Sequence, residues 1–258
     1  MTRELSRRQA LAGFGAVSLG ALLAACSDDE GPTRASTTEV TTSDGETATV
    51  RPRSTGRLAE LFDESSACRL TPEATEGPYY FDADAIRSDI RERRKGAPLR
   101  LAIRVRDSDC KPLENAVVDV WHCDAVGLYS GFESASRDAG GGGPGSGPTD
   151  EETYLRGAQV TDQDGIVQFR TVYPGWYMGR TTHVHAKVHV DRQTMLTTQL
   201  YFDDDYSAAV YEREPYASRD GRETYNEGDA LFDSALLLKL SRDREGHLGL
   251  ISFDLERA

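Results

Sequence analysis

The chain has 258 residues, a formal net charge of −13 and 38% hydrophobic residues. This composition is typical of a soluble globular protein, and the length accommodates one large or two small domains. The strong acidity excludes an electrostatic attraction to nucleic acids or to anionic membrane surfaces.

Residues 1–25 predict a signal peptide. Arg7 and Arg8 precede an uncharged stretch that is shorter than the roughly 20 residues of a membrane-spanning helix, and Cys26 follows Leu-Ala-Ala. The pattern resembles a bacterial lipoprotein signal, with cleavage before Cys26 and lipid on its thiol. The Ser-Arg-Arg-Gln sequence resembles a twin-arginine export motif. We therefore expect an exported cell-envelope protein that contacts the membrane only through this lipid anchor; a plain secretory signal is the alternative.

The next segment, residues 26–58, predicts a disordered tether. Ser, Thr, Asp, Glu and Gly dominate it, and its few large apolar side chains are too few to offset the entropy lost on ordering. The folded domain is then expected over residues 59–258, which is long enough to form a single hydrophobic core.

Three cysteines remain beyond the leader. An oxidising exterior allows one pair to form a disulfide and leaves one thiol over. We predict the pair Cys68 and Cys110, with Cys123 as a free or core thiol. The cysteine spacing excludes a Cys-rich zinc site of the CxxC type.

Short strand patterns recur through the predicted domain, as alternating or β-branched apolar runs. The predicted strands cover residues 99–105, 116–122, 157–161, 166–172, 182–190, 196–202, 236–240 and 248–253. The Asp-Gln-Asp-Gly sequence between the third and fourth predicts a hairpin. Helix is only weakly indicated, over residues 85–94 and 207–212. Together these patterns predict an all-β fold, a β-sandwich core with few short helices and long loops.

The sequence His183-Val184-His185 is the sharpest local feature. On a strand, alternate side chains point to the same face, so both imidazoles can bind one metal ion. His189 has the same parity but lies roughly 13 Å from His185 at ~3.3 Å per residue, too far to bind the same ion. Tyr129 and Tyr177 lie near turns, and a phenolate is a hard anionic ligand that suits ferric iron.

Five segments resemble the intradiol ring-cleavage dioxygenase family, which includes protocatechuate and catechol dioxygenases. They occur in the family's order, with similar spacing, over about residues 68–205. The segments contain, in turn, Pro78 and Tyr79; Tyr129 in Trp-His-Cys-Asp-Ala-Val-Gly-Leu-Tyr; Tyr177 in Tyr-Pro-Gly-Trp-Tyr; Arg180, His183 and His185 in Arg-Thr-Thr-His-Val-His; and Gln199 in Thr-Gln-Leu-Tyr-Phe.

The resemblance implies an Fe(3+) cofactor and a reaction that cleaves a small aromatic 1,2-diol between its hydroxylated carbons with O₂, giving a muconate-type diacid. The implied iron ligands are Tyr129, Tyr177, His183 and His185. It further implies that Tyr177 acts as a base, that Arg180 and Gln199 stabilise developing charge, and that Pro78 and Tyr79 shape the ring pocket. A homo-oligomer is compatible with the resemblance.

Two other functions are weighed against this one. A zinc-dependent hydrolase would use His183 and His185, but the sequence places no carboxylate or third histidine at a suitable spacing. A non-catalytic surface lipoprotein would keep the sandwich as a binding module. The presence of all four implied iron ligands argues against a degenerate site.

Overall fold

The computed structural model describes residues 38–41, 47–50, 56–62, 68–137, 147–219 and 221–256. Their strands are β1 (Thr38–Thr41), β2 (Thr47–Val50), β3 (Pro98–Arg106), β4 (Val117–Trp121), β5 (Arg156–Val160), β6 (Ile166–Val172), β7 (His183–Val190), β8 (Gln193–Tyr201), β9 (Lys239–Asp243) and β10 (Gly246–Asp254). The α-helices are α1 (Glu133–Arg137) and α2 (Asp204–Tyr211), and short 3-10 helices cover Gly56–Leu61, Asn226–Gly228 and Ser234–Leu236.

Two four-stranded sheets form the sandwich. Sheet A has the order β6-β3-β10-β9 and sheet B the order β5-β4-β7-β8. Pairing is antiparallel throughout, except that β10 runs parallel to β3. Alternate apolar residues of β3 and of β7 belong to one buried cluster, which is the expected core between two facing sheets. The predicted all-β sandwich with few short helices is confirmed.

The register of sheet B determines which side chains face away from this core. Because Val184, Ala186 and Val188 point into the core, the odd-numbered residues of β7 point to the opposite side, the outer face of sheet B. The residues that this face brings together at one end are Trp121 of β4, His183 and His185 of β7, and Gln199 and Tyr201 of β8.

The predicted hairpin over residues 157–172 is wrong. β5 belongs to sheet B and β6 to sheet A, so the turn between them carries the chain from one sheet to the other. The turn chemistry is as the sequence indicates: Asp162 Oδ1 accepts bonds from the backbone N–H of Asp164 and Ile166, and Gly165 has φ +72°. A tight turn fixes the reversal of the chain, but it does not fix which partners the two strands choose.

Of the two weak helix predictions, one is wrong. Residues 85–94 are not helical; they run along the sheet edges and form isolated bridges from Ile86 to Ala158 and from Asp89 to Arg170. The other helix exists as α2, which begins one turn earlier than predicted because the Asp203 side chain caps it by accepting from the N–H of Tyr206.

Part of the predicted tether has secondary structure. β1 pairs with β2, and Leu58 and Phe62 are buried against residues of sheet A. The prediction of disorder over residues 26–58 is therefore wrong for the described stretches. The predicted signal peptide, Cys26 and most of the Gly-rich loop lie outside the described residues. No helix in the described part of the chain has the length and hydropathy needed to cross a membrane.

The predicted cysteine pair lies at the start of the domain. Cys68 and Cys110 are joined by a disulfide with their Cα atoms 5.6 Å apart. Cys110 sits in the turn after β3 with φ +66°, and the bond ties the incoming chain to that turn. Cys123 is a buried free thiol close to the carbonyl oxygen of Gly175.

Candidate metal centre

Two imidazoles and two phenols converge at one end of the outer face of sheet B. The Nε2 atom of His183 lies 3.1 Å from Nε2 of His185, 3.1 Å from the hydroxyl oxygen of Tyr177 and 3.5 Å from that of Tyr129. The other three potential ligand atoms thus all lie within 3.5 Å of His183 Nε2. Such mutual approach of donor atoms, deep in the protein, is the arrangement that a single bound cation would satisfy.

The turns that position the two tyrosines are packed directly on each other. After β4, Asp124 Oδ1 accepts the backbone N–H groups of Val126 and Leu128, and this turn delivers Tyr129. The turn before Tyr177 contains Gly175, where a Cβ atom would lie 2.4 Å from the carbonyl oxygen of Ala125. Only glycine permits this approach, so Gly175 is required to bring the two phenols to the same site.

The histidine rings are held in a ligating orientation. His183 donates from Nδ1 to the carbonyl oxygen of Thr181 at 2.7 Å, which leaves the Nε2 lone pair facing the centre. The His185 ring stacks on Trp121 with the planes 8° apart and faces Gly77 on another side, where a Cβ would lie 3.1 Å from its Cε1 atom. The His185 Nδ1 atom is buried and has no hydrogen-bond partner.

Burial shifts the pKa of all four groups toward their neutral forms. It raises the pKa of Tyr129 well above its ordinary value and raises the pKa of Tyr177 despite the opposing charge of Arg180. Burial, helped by the positive charge of Arg180, lowers the pKa of His183 to about 3, and burial lowers the pKa of His185 as well. The imidazoles are therefore unprotonated and ready to bind a metal, whereas the phenols require a strong cation to displace their protons.

The donor set fits a hard trivalent ion. Phenolate oxygens are hard anionic ligands, and imidazole nitrogens suit iron. Among the described residues, His, Cys, Asp and Glu side chains alone form no cluster of three that could hold a metal. The tyrosine oxygens are thus essential to this centre.

The structure also places the other predicted site residues around the four donors. Arg180 Nη1 lies 3.4 Å from His183 Nε2, and Arg180 Nη2 donates to Gln199 Oε1 at 2.5 Å. The Tyr79 ring lies 4.8 Å from the Tyr129 ring, centroid to centroid. Pro78 is half-buried and directly follows Gly77, the residue that faces the ring of His185.

Three neighbours of the centre were not predicted from the sequence: Gly77, Trp121 and Asp229. Trp121 meets His185 only because β4 and β7 pair in one particular register. Gly77 and Asp229 reach the site from segments before and after the sandwich strands that hold the histidines. A single sequence contains a local signal for the His-x-His pattern but none for these long-range contacts.

Comparisons with known proteins agree with this fold. A family model described as "Dioxygenase" (Dioxygenase_C) matches residues 75–212, just over half of the chain. Catechol 1,2-dioxygenase 1 of Acinetobacter lwoffii is 30% identical over 173 residues, which cover 58% of this chain and 51% of that protein. The chain thus spans about half the length of this relative.

Two solved structures cover most of the folded part. An intradiol ring-cleavage dioxygenase from Tetranychus urticae is 32% identical with a TM-score of 0.68, covering 74% of this chain and 98% of that one. The dioxygenase domain of a dioxygenase carbohydrate-binding protein fusion from Streptomyces sp. SirexAA-E is 33% identical with a TM-score of 0.54, covering 74% and 100%. The β-sandwich fold, the family model and these relatives define the class of protein. The chain belongs to the intradiol ring-cleavage dioxygenase family.

Proposed function

We propose that this protein is an iron(III) enzyme that cleaves a small aromatic 1,2-diol between its hydroxylated carbons with O₂, giving a muconate-type diacid. One observation carries the proposal: the Tyr129, Tyr177 and His185 donor atoms all lie within 3.5 Å of His183 Nε2. Family membership supports the reaction type, and the named relative supports a catechol-type substrate.

The residues that would hold Fe(3+) are Tyr129, Tyr177, His183 and His185. When bound, the iron supplies an electron-withdrawing centre that lets an electron-rich diol ring react with O₂. The buried phenols hold their protons in the absence of a cation. Once iron displaces those protons, the two phenolates would supply the anionic charge that distinguishes this centre from a zinc site with neutral ligands.

The two tyrosines differ in a way that assigns them different tasks. Tyr129 is fully buried, whereas Tyr177 is only half-buried and borders a cavity of about 310 Å³. Bound to the iron, Tyr177 would be a phenolate, and a phenolate at the edge of the site can accept a proton from an incoming diol, so Tyr177 is assigned as the base. Tyr129, enclosed beside the ring of Tyr79, stays in place.

Arg180 and Gln199 act on the substrate side of the centre. The guanidinium is directed at the histidines and stabilises negative charge that develops on a substrate oxygen in this buried setting. Gln199 holds that guanidinium through its Oε1 atom, and its Nε2 atom donates to the carbonyl oxygen of Thr75 at 2.8 Å. Pro78 and Tyr79 form the adjoining wall of the ring pocket.

Export to the cell envelope is a second part of the proposal. The leader pattern of residues 1–25 supports export, and the disulfide between Cys68 and Cys110 suits an oxidising compartment. Lipid on Cys26 would anchor the protein at the membrane. We expect Cys26→Ser to move the protein from the membrane fraction to the soluble fraction of fractionated cells; unchanged membrane retention would contradict the lipid anchor.

Oxygen uptake by the iron-loaded protein tests the activity. Catechol, protocatechuate, hydroxyquinol and chlorocatechols form the panel, and product absorption identifies the diacid. We expect uptake of one O₂ per diol consumed for at least one member. A protein that binds iron without any uptake would favour the non-catalytic binding module, and one that takes up zinc in place of iron and hydrolyses esters or amides would favour the hydrolase.

A further inference from the structure

We infer that Asp229 is a positioning residue that directs the Arg180 guanidinium toward the reacting diol; this inference rests on the proposed function. The Asp229 side chain is buried at the end of a short 3-10 helix, on a segment that lies beyond the region matched by the family model. Its Oδ2 atom accepts from Nε of Arg180 at 2.9 Å and forms an ion pair with it.

The three nitrogens of the guanidinium have different neighbours. Nε is bound by Asp229 and Nη2 by Gln199, which leaves Nη1 at 3.4 Å from Nε2 of His183. A guanidinium is planar and its donors have a fixed geometry, so fixing two nitrogens fixes the direction of the third. Asp229 and Gln199 together therefore aim Nη1 at the metal centre.

Further contacts support both partners of the guanidinium. The Tyr201 hydroxyl, which has a single proton, lies 3.1 Å from Gln199 Oε1 and 2.6 Å from the carbonyl oxygen of Leu231, and it donates to the nearer of the two. The backbone N–H of Leu231 donates to Oδ1 of Asp229 at 2.9 Å. A guanidinium held from both sides loses little rotational freedom when substrate binds.

The same carboxylate also holds the peptide next to a ligand. Asp229 Oδ2 accepts from the backbone N–H of Thr181 at 2.9 Å, and the Thr181 carbonyl oxygen accepts from Nδ1 of His183. This second contact stabilises the loop and gives Asp229 a structural role as well. The test must therefore separate aiming of Arg180 from support of the loop.

The experiment compares Asp229→Asn and Asp229→Glu with a matched control, Asp243→Asn. Asp243 also pairs with an arginine, Arg100, and its Oδ1 accepts a backbone N–H two residues later, but it lies on exposed β9. We expect Asp229→Asn to lower kcat per bound iron by about 10- to 100-fold, with KM changed by less than about 3-fold. The Glu variant, which keeps the charge, is expected to recover part of the loss, and Asp243→Asn to match the wild type.

Two measurements on the iron-loaded protein without substrate separate the two roles of Asp229: the visible absorption band from tyrosinate-to-iron charge transfer, and the iron content. If aiming of Arg180 is what matters, both stay at wild-type values in Asp229→Asn, because Asp229 contacts none of the four donor atoms. If Asp229 only supports the loop, iron content or melting temperature falls while kcat per bound iron is unchanged. That second result would overturn the inference.

A readout without turnover keeps the inference separate from the proposed function. In the isotope-labelled, metal-free protein, we expect a slowly exchanging Nε–H resonance from Arg180, assigned by its loss in Arg180→Lys. It should disappear in Asp229→Asn and persist in Asp243→Asn. If the resonance persists in Asp229→Asn, Asp229 does not hold the guanidinium and the inference fails. If it disappears but the wild-type protein cleaves no diol, the proposed function fails while the contact itself stands.

Discussion

The outer face of β7 has two ends with similar sequence and different chemistry. His183 and His185 at one end meet two phenols, a tryptophan and a guanidinium. At the other end Lys187 pairs with Glu76 and lies over the ring of Tyr80, and His189 contacts the hydroxyl of Thr194 after a register shift in the strand. Strand parity places all four side chains on one face, but the covering loops determine which of them can bind a metal.

Cavity size is a poor guide to where the chemistry takes place. The cavity at the His189 end measures about 630 Å³, roughly twice the 310 Å³ cavity beside Tyr177. It is lined by acidic groups that include Asp82 and Asp119, and none of the four converging donors lines it. The convergence of donor atoms, rather than the larger of these two cavities, identifies the centre.

The largest expected effect comes from removing His183, and removing His189 at the other end of the strand is its control. We expect His183→Ala to abolish stoichiometric iron binding and to lower O₂ uptake by roughly 1,000-fold or more, since a ligand is lost. His189→Ala should keep both within about 2-fold, because His189 lies at the other end of the strand, where its Nδ1 atom contacts the hydroxyl of Thr194. Metal analysis and oxygen uptake measure both. Equal losses in the two variants would contradict the assignment of the centre to the His183 end.

The second effect concerns the tyrosine at the edge of the site. We expect Tyr177→Phe to shift the tyrosinate-to-iron absorption band and to lower kcat by about 100-fold, because it removes one phenolate and the proposed base. Tyr225→Phe is a suitable control, since Tyr225 is an exposed tyrosine. A Tyr177→Phe protein with an unchanged band would show that this phenol does not bind the metal.

Two glycines test whether the close approach of Gly77 to the His185 ring is needed for iron binding. Gly77 (φ +76°) and Gly221 (φ +92°) both have left-handed backbones, but a Cβ would lie 3.1 Å from His185 Cε1 at Gly77 and meets nothing within 4 Å at Gly221. Alanine at either position should cost about 1 kcal/mol of unfolding free energy. Only Gly77→Ala should also weaken iron binding, by several-fold. Equal iron affinity in both variants would show that this contact does not constrain the ligand.

The effect furthest from the metal centre is on stability alone and belongs to the other end of β7. Burial and the nearby Asp82 charge raise the pKa of Asp119 to about 7, well above the value of the unfolded chain. The native protein therefore holds a proton that the unfolded chain releases, so stability is lost as the pH rises from about 4 through 7. We expect Asp119→Asn to remove about 1–2 kcal/mol of this decline in denaturant titrations at pH 5 to 8, with iron content unchanged. A variant whose decline matches the wild type would contradict the raised pKa.

Local pattern was sufficient for the strands of the sandwich and for the two histidines. The predicted strand over residues 99–105 is β3, and the terminal pair exists with its first strand displaced to Lys239–Asp243. His183 and His185 follow from strand parity, whereas Tyr129 and Tyr177 were candidates near turns that only the family resemblance singled out as ligands. Their approach depends on Gly175, whose missing Cβ lets one turn pack on the other.

Long-range pairing accounts for what could not be predicted. The turn from Asp162 to Gly165 predicted a hairpin, but the same turn residues also suit a connection between two sheets, so the local pattern could not distinguish the two. Trp121 meets His185 through one register of β4 on β7, and Asp229 meets Arg180 across 48 intervening positions of chain. These contacts depend on how separate segments pack, which a period-2 or turn signal in one segment does not encode.

Titration of the metal-free protein with iron(III), followed by visible absorption, tests the central claim most directly. The account predicts a wine-red tyrosinate-to-iron band that saturates at one equivalent of iron and is absent when both Tyr129 and Tyr177 are replaced by phenylalanine. Binding of iron without such a band, or a band that survives the double replacement, would contradict a centre built from two phenols and two imidazoles.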